Sequence, residues 1–108
     1  MTFADADFGF HPEAQAEFVA DVEWFEGREI GLGERFDGAV RSAIKDAVLS
    51  PEAWPKWRGW DREPAVRSRA VDKFPYRVVY FVADELVIVL AVAHEKRRPG
   101  YWRDRVIR

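Results

Sequence analysis

The chain has 108 residues, 48% hydrophobic and 33% charged, with a formal net charge of -2 and no cysteine. That length supports one domain with a modest core, and that balance excludes an intrinsically disordered chain. Disulfides, thiolate chemistry and cysteine-based zinc are excluded, and with only two histidines, His11 and His94, no metal or other cofactor is expected.

The small total charge conceals a split. Residues 1–55 carry 4 cations and 12 carboxylates, a balance of -8, while residues 56–108 carry 13 cations and 7 carboxylates, a balance of +6. Such a division suits a basic face for an anionic partner, or acidic helices that pair with basic strands inside one molecule. The start, MTFADADFGF, lacks the architecture of a secretory signal, and no apolar run approaches a membrane span. A soluble, cytoplasmic protein with no membrane partner is the expectation.

In chain order, Phe8–Phe10 reads as a short strand ended by His11 and Pro12. Pro12 suits the first position of a helix, and Glu13 follows near the positive end of its dipole. Ala14, Phe18, Val22 and Phe25 then recur at helical spacing, flanked by Trp24, until Gly27, Gly31 and Gly33 punctuate the exit. A second helix carries Leu32, Phe36, Val40, Ile44 and Val48 at four-residue spacing, with Ala43 and Ala47 beside them, and Ser50-Pro51 stops it. Two amphipathic helices across a short Gly-rich turn predict an antiparallel helical hairpin.

The connector SPEAWPKWRGWDREP holds Trp54, Trp57 and Trp60, whose even spacing admits a base-stacking platform. The better reading is a Pro-rich connector pinned to the core by its aromatic rings. Three strand-like segments follow: VRSRAV (Val66–Val71), YRVVYFV (Tyr76–Val82) and LVIVLAVA (Leu86–Ala93). Neither long segment contains Pro or Gly, which suits central positions. The order β-α-α-β-β-β with a short C-terminal segment predicts a single α+β domain over 1–108, a helical hairpin on one face of an antiparallel sheet.

Alternation places Arg77 with Val79 and Phe81 on one face of its strand. A two-residue turn at Asp84-Glu85 would pair Ala83 with Leu86, Val79 with Leu90 and Arg77 with Val92. His94 would then lie on Arg77's face, although a one-residue change would reverse this. Arg67 and Arg69 also share a face. If it is Arg77's face, three guanidiniums and an imidazole converge on the side away from the helices.

Such a cluster suits phosphate, because a guanidinium binds its oxygens through a planar fork and stays charged. In a metal-independent ribonuclease, His94 or Tyr101 would move protons while Arg77, Arg69, Arg97 and Arg98 hold charge. Arg67, Lys96 and Trp102 would bind substrate, with Tyr101 and Trp102 stacking on unpaired bases. The alternatives are ordinary: a strand Arg in a salt bridge, a structural His, and a solvated Lys96–Arg98 turn.

FHPEAQAEF, GLGERFDGAVRSAI, FPYRVVYFV and VLAVAHEKRRPGYW, in this order, resemble the RelE/ParE superfamily over nearly the whole chain. The resemblance implies a toxin of a type II toxin–antitoxin pair, neutralised by a cognate antitoxin. RelE-like members cut mRNA in the ribosomal A site without metal; ParE-like members bind and inhibit DNA gyrase. Arg77 falls at the catalytic Arg of the RelE-like Tyr-Arg strand motif, and Arg97 or Arg98 and Tyr101 match its later basic residue and Tyr approximately. Lysines of the RelE pattern are replaced by Arg67 and Arg69, and the His94-x-x-Arg97-Arg98 turn looks more ParE-like.

Three functions follow. First stands a ribosome-dependent mRNA endoribonuclease, then a non-enzymatic gyrase inhibitor, then a degenerate member that only binds its antitoxin. An antitoxin rich in Asp and Glu is expected to cover the basic half.

Overall fold

The computed structural model describes residues 7–106, so the first six residues, read above for a signal, lie outside it. Its elements are β1 (Phe8–Phe10), α1 (Pro12–Arg28), α2 (Leu32–Leu49), β2 (Arg67–Ala70), β3 (Tyr76–Ala83), β4 (Leu86–His94) and a 3-10 turn (Arg103–Arg105). Pro12 opens α1, where a missing N–H costs little, and His11 Nδ1 accepts the Glu13 backbone N–H at 3.2 Å. Between the helices, Gly31 is left-handed at φ 88°. The Glu26 carboxylate accepts the N–H groups of Gly31 and Gly33 at 2.9 and 3.0 Å, satisfying donors at the open start of α2. A Cβ on Gly33 would lie 2.5 Å from the Val22 carbonyl oxygen, so only glycine allows this approach of α1 to α2.

The four strands form one sheet in the order β1-β4-β3-β2. β3 and β4 are central, as their unbroken apolar runs predict. The sheet is mixed rather than wholly antiparallel, because β1 joins β4 in parallel, with Phe8 opposite Val87. A parallel neighbour is possible because the helices, β2 and β3 all intervene before β4.

Apolar residues fill both faces. Phe36, Val40, Ile44, Val78, Tyr80 and Val89 belong to the core under the helices. Trp60, Val66, Val79, Phe81, Leu90 and Trp102 form a second core on the other face. The connector therefore is pinned by its rings, with Trp60 buried and its Nε1 donating to the Pro64 carbonyl at 2.8 Å. The connector also screens the β2 edge, where Ser68 N donates to the Pro55 carbonyl at 3.1 Å.

The β3–β4 ladder decides where the polar residues go. Ala83 pairs with Leu86 as expected, and Tyr80 with Val89, but Val79 pairs with Ala91. Leu90 is the extra residue of a bulge, and both Leu90 and Ala91 enter the second core. Arg77 consequently lies opposite Ala93 rather than Val92, and His94 opposite Tyr76. Because side chains alternate, this slip of one residue sends His94 to the helix-covered face and leaves Arg77 on the other.

β2 corrects the second condition as well. Arg67 and Arg69 pair with Tyr80 and Val78, placing them on the helix-covered face, while Ser68 and Ala70 pair with Val79 and Arg77. The three guanidiniums do not converge, and the face away from the helices is occupied by tryptophans.

Candidate functional site

Beyond β4 the chain folds back through residues 95–100, turning at left-handed Gly100 (φ 77°) and closing with the Tyr101 N–H on the Arg98 carbonyl at 3.2 Å. This turn, the end of β3–β4 and the connector enclose a cavity of about 250 Å³. Trp57, Ala93 and Pro99 contribute apolar lining, with the buried Trp102 behind them; Arg77, His94, Glu95, Arg97, Arg98 and Tyr101 contribute polar groups. The end of the sheet thus reunites Arg77 and His94 around one space although they leave opposite faces.

Arg77 is half-buried, donating from Nε to Ser68 Oγ at 2.9 Å and from a terminal nitrogen to the Ser68 carbonyl at 3.5 Å. No carboxylate of the described residues pairs with it. Arg69 is the opposite case: its guanidinium meets Asp46 at 2.9 Å, lies 4.7 Å from the Trp54 ring centre and bonds the Ala70 carbonyl. Arg67 donates to the Trp54 carbonyl at 2.9 Å. Both bond β2 to the elements beside it, and neither lines the cavity.

His94 sits edge-on to Tyr76, ring centres 5.0 Å apart, and its Nδ1 accepts the Lys96 backbone N–H at 3.0 Å. That bond assigns the neutral ring's proton to Nε2. Lys96, Arg97 and Arg98 are exposed on the turn. The Arg97 guanidinium covers the Tyr101 ring at 3.9 Å from its centre. Tyr101 donates to Glu17 at 3.4 Å, and its pKa is raised, chiefly by burial and then by the Glu17 charge, against the opposing pull of Arg97 and Arg105. Trp102 is fully buried, its ring edge-on to Trp57 at 5.1 Å, so no face is open for a base.

Trp57, read from the sequence only as a pin of the connector, lines the cavity, and four further residues of this neighbourhood also escaped the sequence reading: Glu17, Asp21, Tyr76 and Arg105. Arg105 is buried, its terminal nitrogens 2.6 and 3.1 Å from the Glu17 carboxylate and 3.0 Å from the Leu90 carbonyl. Glu13 adds a contact at 3.6 Å. Burial raises the pKa of Asp21, reinforced by Glu17 and opposed by Arg97, a Tyr76 hydrogen bond and His94. Burial and then Asp21 push Tyr76 up to about 12. The signal available in the sequence was the i, i+4, i+8 spacing of Glu13, Glu17 and Asp21, one acidic stripe along α1. Part of the charge split is thereby neutralised inside the molecule, by Arg105 on α1 and by Arg69 on α2.

The family model of the ParE toxin of the type II toxin–antitoxin system ParDE matches residues 9–99. The chain belongs to the ParE toxin family. No curated protein and no solved structure matches it. This ParE-family chain is therefore the toxin of a type II pair, with an antitoxin as its partner. The matched span runs from β1 through the cationic turn and stops before Tyr101, Trp102 and Arg105. Among the described residues of this ParE-family toxin, no group of three His, Cys, Asp or Glu side chains is placed to hold a metal ion. No described helix is long and apolar enough to cross a membrane.

Proposed function

We propose that this ParE-family toxin arrests growth by binding and disabling DNA gyrase through the turn from His94 to Tyr101, without cleaving RNA itself. The observation that carries this reading is the placement of Arg67 and Arg69 on the helix-covered face, bonded to Trp54 and Asp46. They are the two cations that a phosphate site on β2 would require. The proton-moving candidates are also engaged internally, His94 Nδ1 by the Lys96 N–H and the Tyr101 hydroxyl by Glu17. What remains accessible is a cationic turn, Lys96 to Arg98, beside an apolar cavity, which is chemistry for recognition rather than proton transfer.

Ribosome-dependent mRNA cleavage is the second reading, favoured by Arg77, His94, Arg97, Arg98 and Tyr101 lining one cavity. One comparison separates the two. The purified toxin is added to a gyrase supercoiling assay, and cells induced for the toxin are scored for DNA-damage signalling and mapped for mRNA ends. Inhibited supercoiling, lost in an Arg97→Ala/Arg98→Ala variant, with no codon-positioned cuts, is the expected result. Codon-positioned cuts with unaffected gyrase would overturn it. A chain that neither cuts RNA nor affects gyrase, yet binds its antitoxin, would be a degenerate member.

A further inference from the structure

We infer that the cavity beside the cationic turn is a receptor for an acidic protein segment, seating an apolar side chain against Trp57 and Ala93 and a neighbouring carboxylate on Arg77. This goes beyond the choice of target and stands whichever target is right.

The inward-lying arginines of the chain are not equally neutralised. Arg69 and Arg105 each lie against a carboxylate, at 2.9 and 2.6 Å, and Arg67, which has none, donates to the Trp54 carbonyl away from this cavity. Arg77 is half-buried beside the second core and holds only a hydroxyl and a carbonyl oxygen of Ser68. Partly desolvated cations lose hydration that neutral oxygens replace incompletely, so the site favours an incoming anion. Arg97 and Arg98 line the same cavity and add to its positive potential, with Glu95 the one carboxylate among the lining residues.

The remaining lining selects the kind of anion. Trp57, Ala93 and Pro99 present apolar surface, and about 250 Å³ accommodates one large side chain together with a carboxylate. A nucleotide is served less well, because Trp57 alone of the lining Trp and Tyr rings is left for a base. The Tyr101 ring already has the Arg97 guanidinium at 3.9 Å and that of Arg105 at 5.2 Å, and Trp102 is sealed in the core. Base stacking needs an open ring face. A chain segment with Asp or Glu next to Phe or Leu meets both requirements, and the Asp- and Glu-rich partner expected from the charge split has that composition.

The test uses the full chain and three probes: a terminally blocked Asp-Phe-Glu-Leu peptide, its Asn-Phe-Gln-Leu counterpart, and adenosine monophosphate. Calorimetry measures affinity, and amide chemical shifts locate the contact. The acidic peptide should bind at least about tenfold tighter than the amide counterpart, a margin within the range of charge-assisted hydrogen bonds. Shifts should centre on Ala93 and Tyr101. Arg77→Gln should abolish the preference, and Arg77→Lys should restore part of it. Equal affinity of the two peptides for the unmodified chain, no binding by either, or shifts centred away from the cavity would each overturn the inference. So would adenosine monophosphate binding in place of the acidic peptide, which would assign the cavity to nucleotides. Because the two-peptide comparison needs no variant, it decides the matter even if Arg77→Gln fails to fold. Gyrase inhibition is read in a separate assay, so failure of either proposal is visible without the other.

Discussion

Glu17, in the second turn of α1, grips Arg105 of the C-terminal turn with both carboxylate oxygens, at 2.6 and 3.1 Å, across 88 residues of chain. The same guanidinium bonds the Leu90 carbonyl, at the bulge in β4 where β1 no longer continues as a neighbour. One buried side chain thus ties the tail to a helix and to the sheet.

Removing Glu17 is expected to leave the buried Arg105 guanidinium with only the more distant Glu13 carboxylate and the Leu90 carbonyl. Glu17→Leu should destabilise the fold by about 3 kcal/mol, within the range for broken buried pairs. Pairing it with Arg105→Met should recover a large part of that loss, because no orphaned charge remains. Urea unfolding of the two single variants and the double variant measures the coupling, and strictly additive losses would show that the pair contributes nothing as a pair.

Trp102 gives a contrast between volume and polarity. Its indole is wholly buried, and its Nε1 has no hydrogen-bond partner among the described residues. Trp102→Ala should cost about 3–5 kcal/mol by opening a void beside Trp57 and Trp60. Trp102→Phe loses less volume and also removes the orphaned donor, so its cost should be far smaller. Equal losses in the two variants, measured by denaturant titration, would contradict that assignment.

The tyrosines set the alkaline limit. Burial raises Tyr76 and Tyr80 from the ordinary 10 to about 12, helped at Tyr76 by the Asp21 charge and opposed at Tyr80 by Arg67. The unfolded chain loses these phenolic protons first, so stability is full below pH 10 and falls as pH rises from 10 through 12. Phenolate absorbance followed against pH should lag the free phenol. Tyr76→Phe should flatten the stability profile over that window, and an unchanged slope would count against the burial argument.

Asp21 makes the complementary prediction at acid pH. Its pKa is raised, first by burial, so the folded state holds the proton more tightly than the unfolded chain. Stability from this residue is greatest below the unfolded value of 3.8 and declines as pH rises through the higher folded value. Asp21→Asn should remove this decline, as seen by comparing denaturation midpoints across mildly acidic buffers.

Arg69→Met distinguishes a clamp from a phosphate ligand. Asp46 is partly exposed and can be rehydrated, so the expected stability loss is about 1 kcal/mol. Growth inhibition on induction should persist. Loss of toxicity with the fold intact would return Arg69 to the functional site.

Much of the architecture was legible because it depends on local periodicity. The stripe Phe36, Val40, Ile44 follows from the helical repeat, and the apolar run Val87–Val92 announces a central strand. Trp54, Trp57 and Trp60 betrayed a pinned connector through the prolines around them. The candidate site was legible only in part. His94, Arg97, Arg98 and Tyr101 are close in sequence and are gathered by one turn, whereas Trp102 looked like a stacking ring until the second core enclosed it.

Sequence alone determined the element order, the helical hairpin, the two central strands and membership of a toxin superfamily, because each rests on residue spacing or on long matched segments. Tertiary structure decided which charges meet. A single extra residue at Leu90 inverted the face of His94 relative to Arg77. The pairing of β2 sent Arg67 and Arg69 to Trp54 and Asp46 rather than to the cavity. Strand parity is global information, set by a ladder that one bulge can shift, and no local pattern in β4 records where that bulge falls.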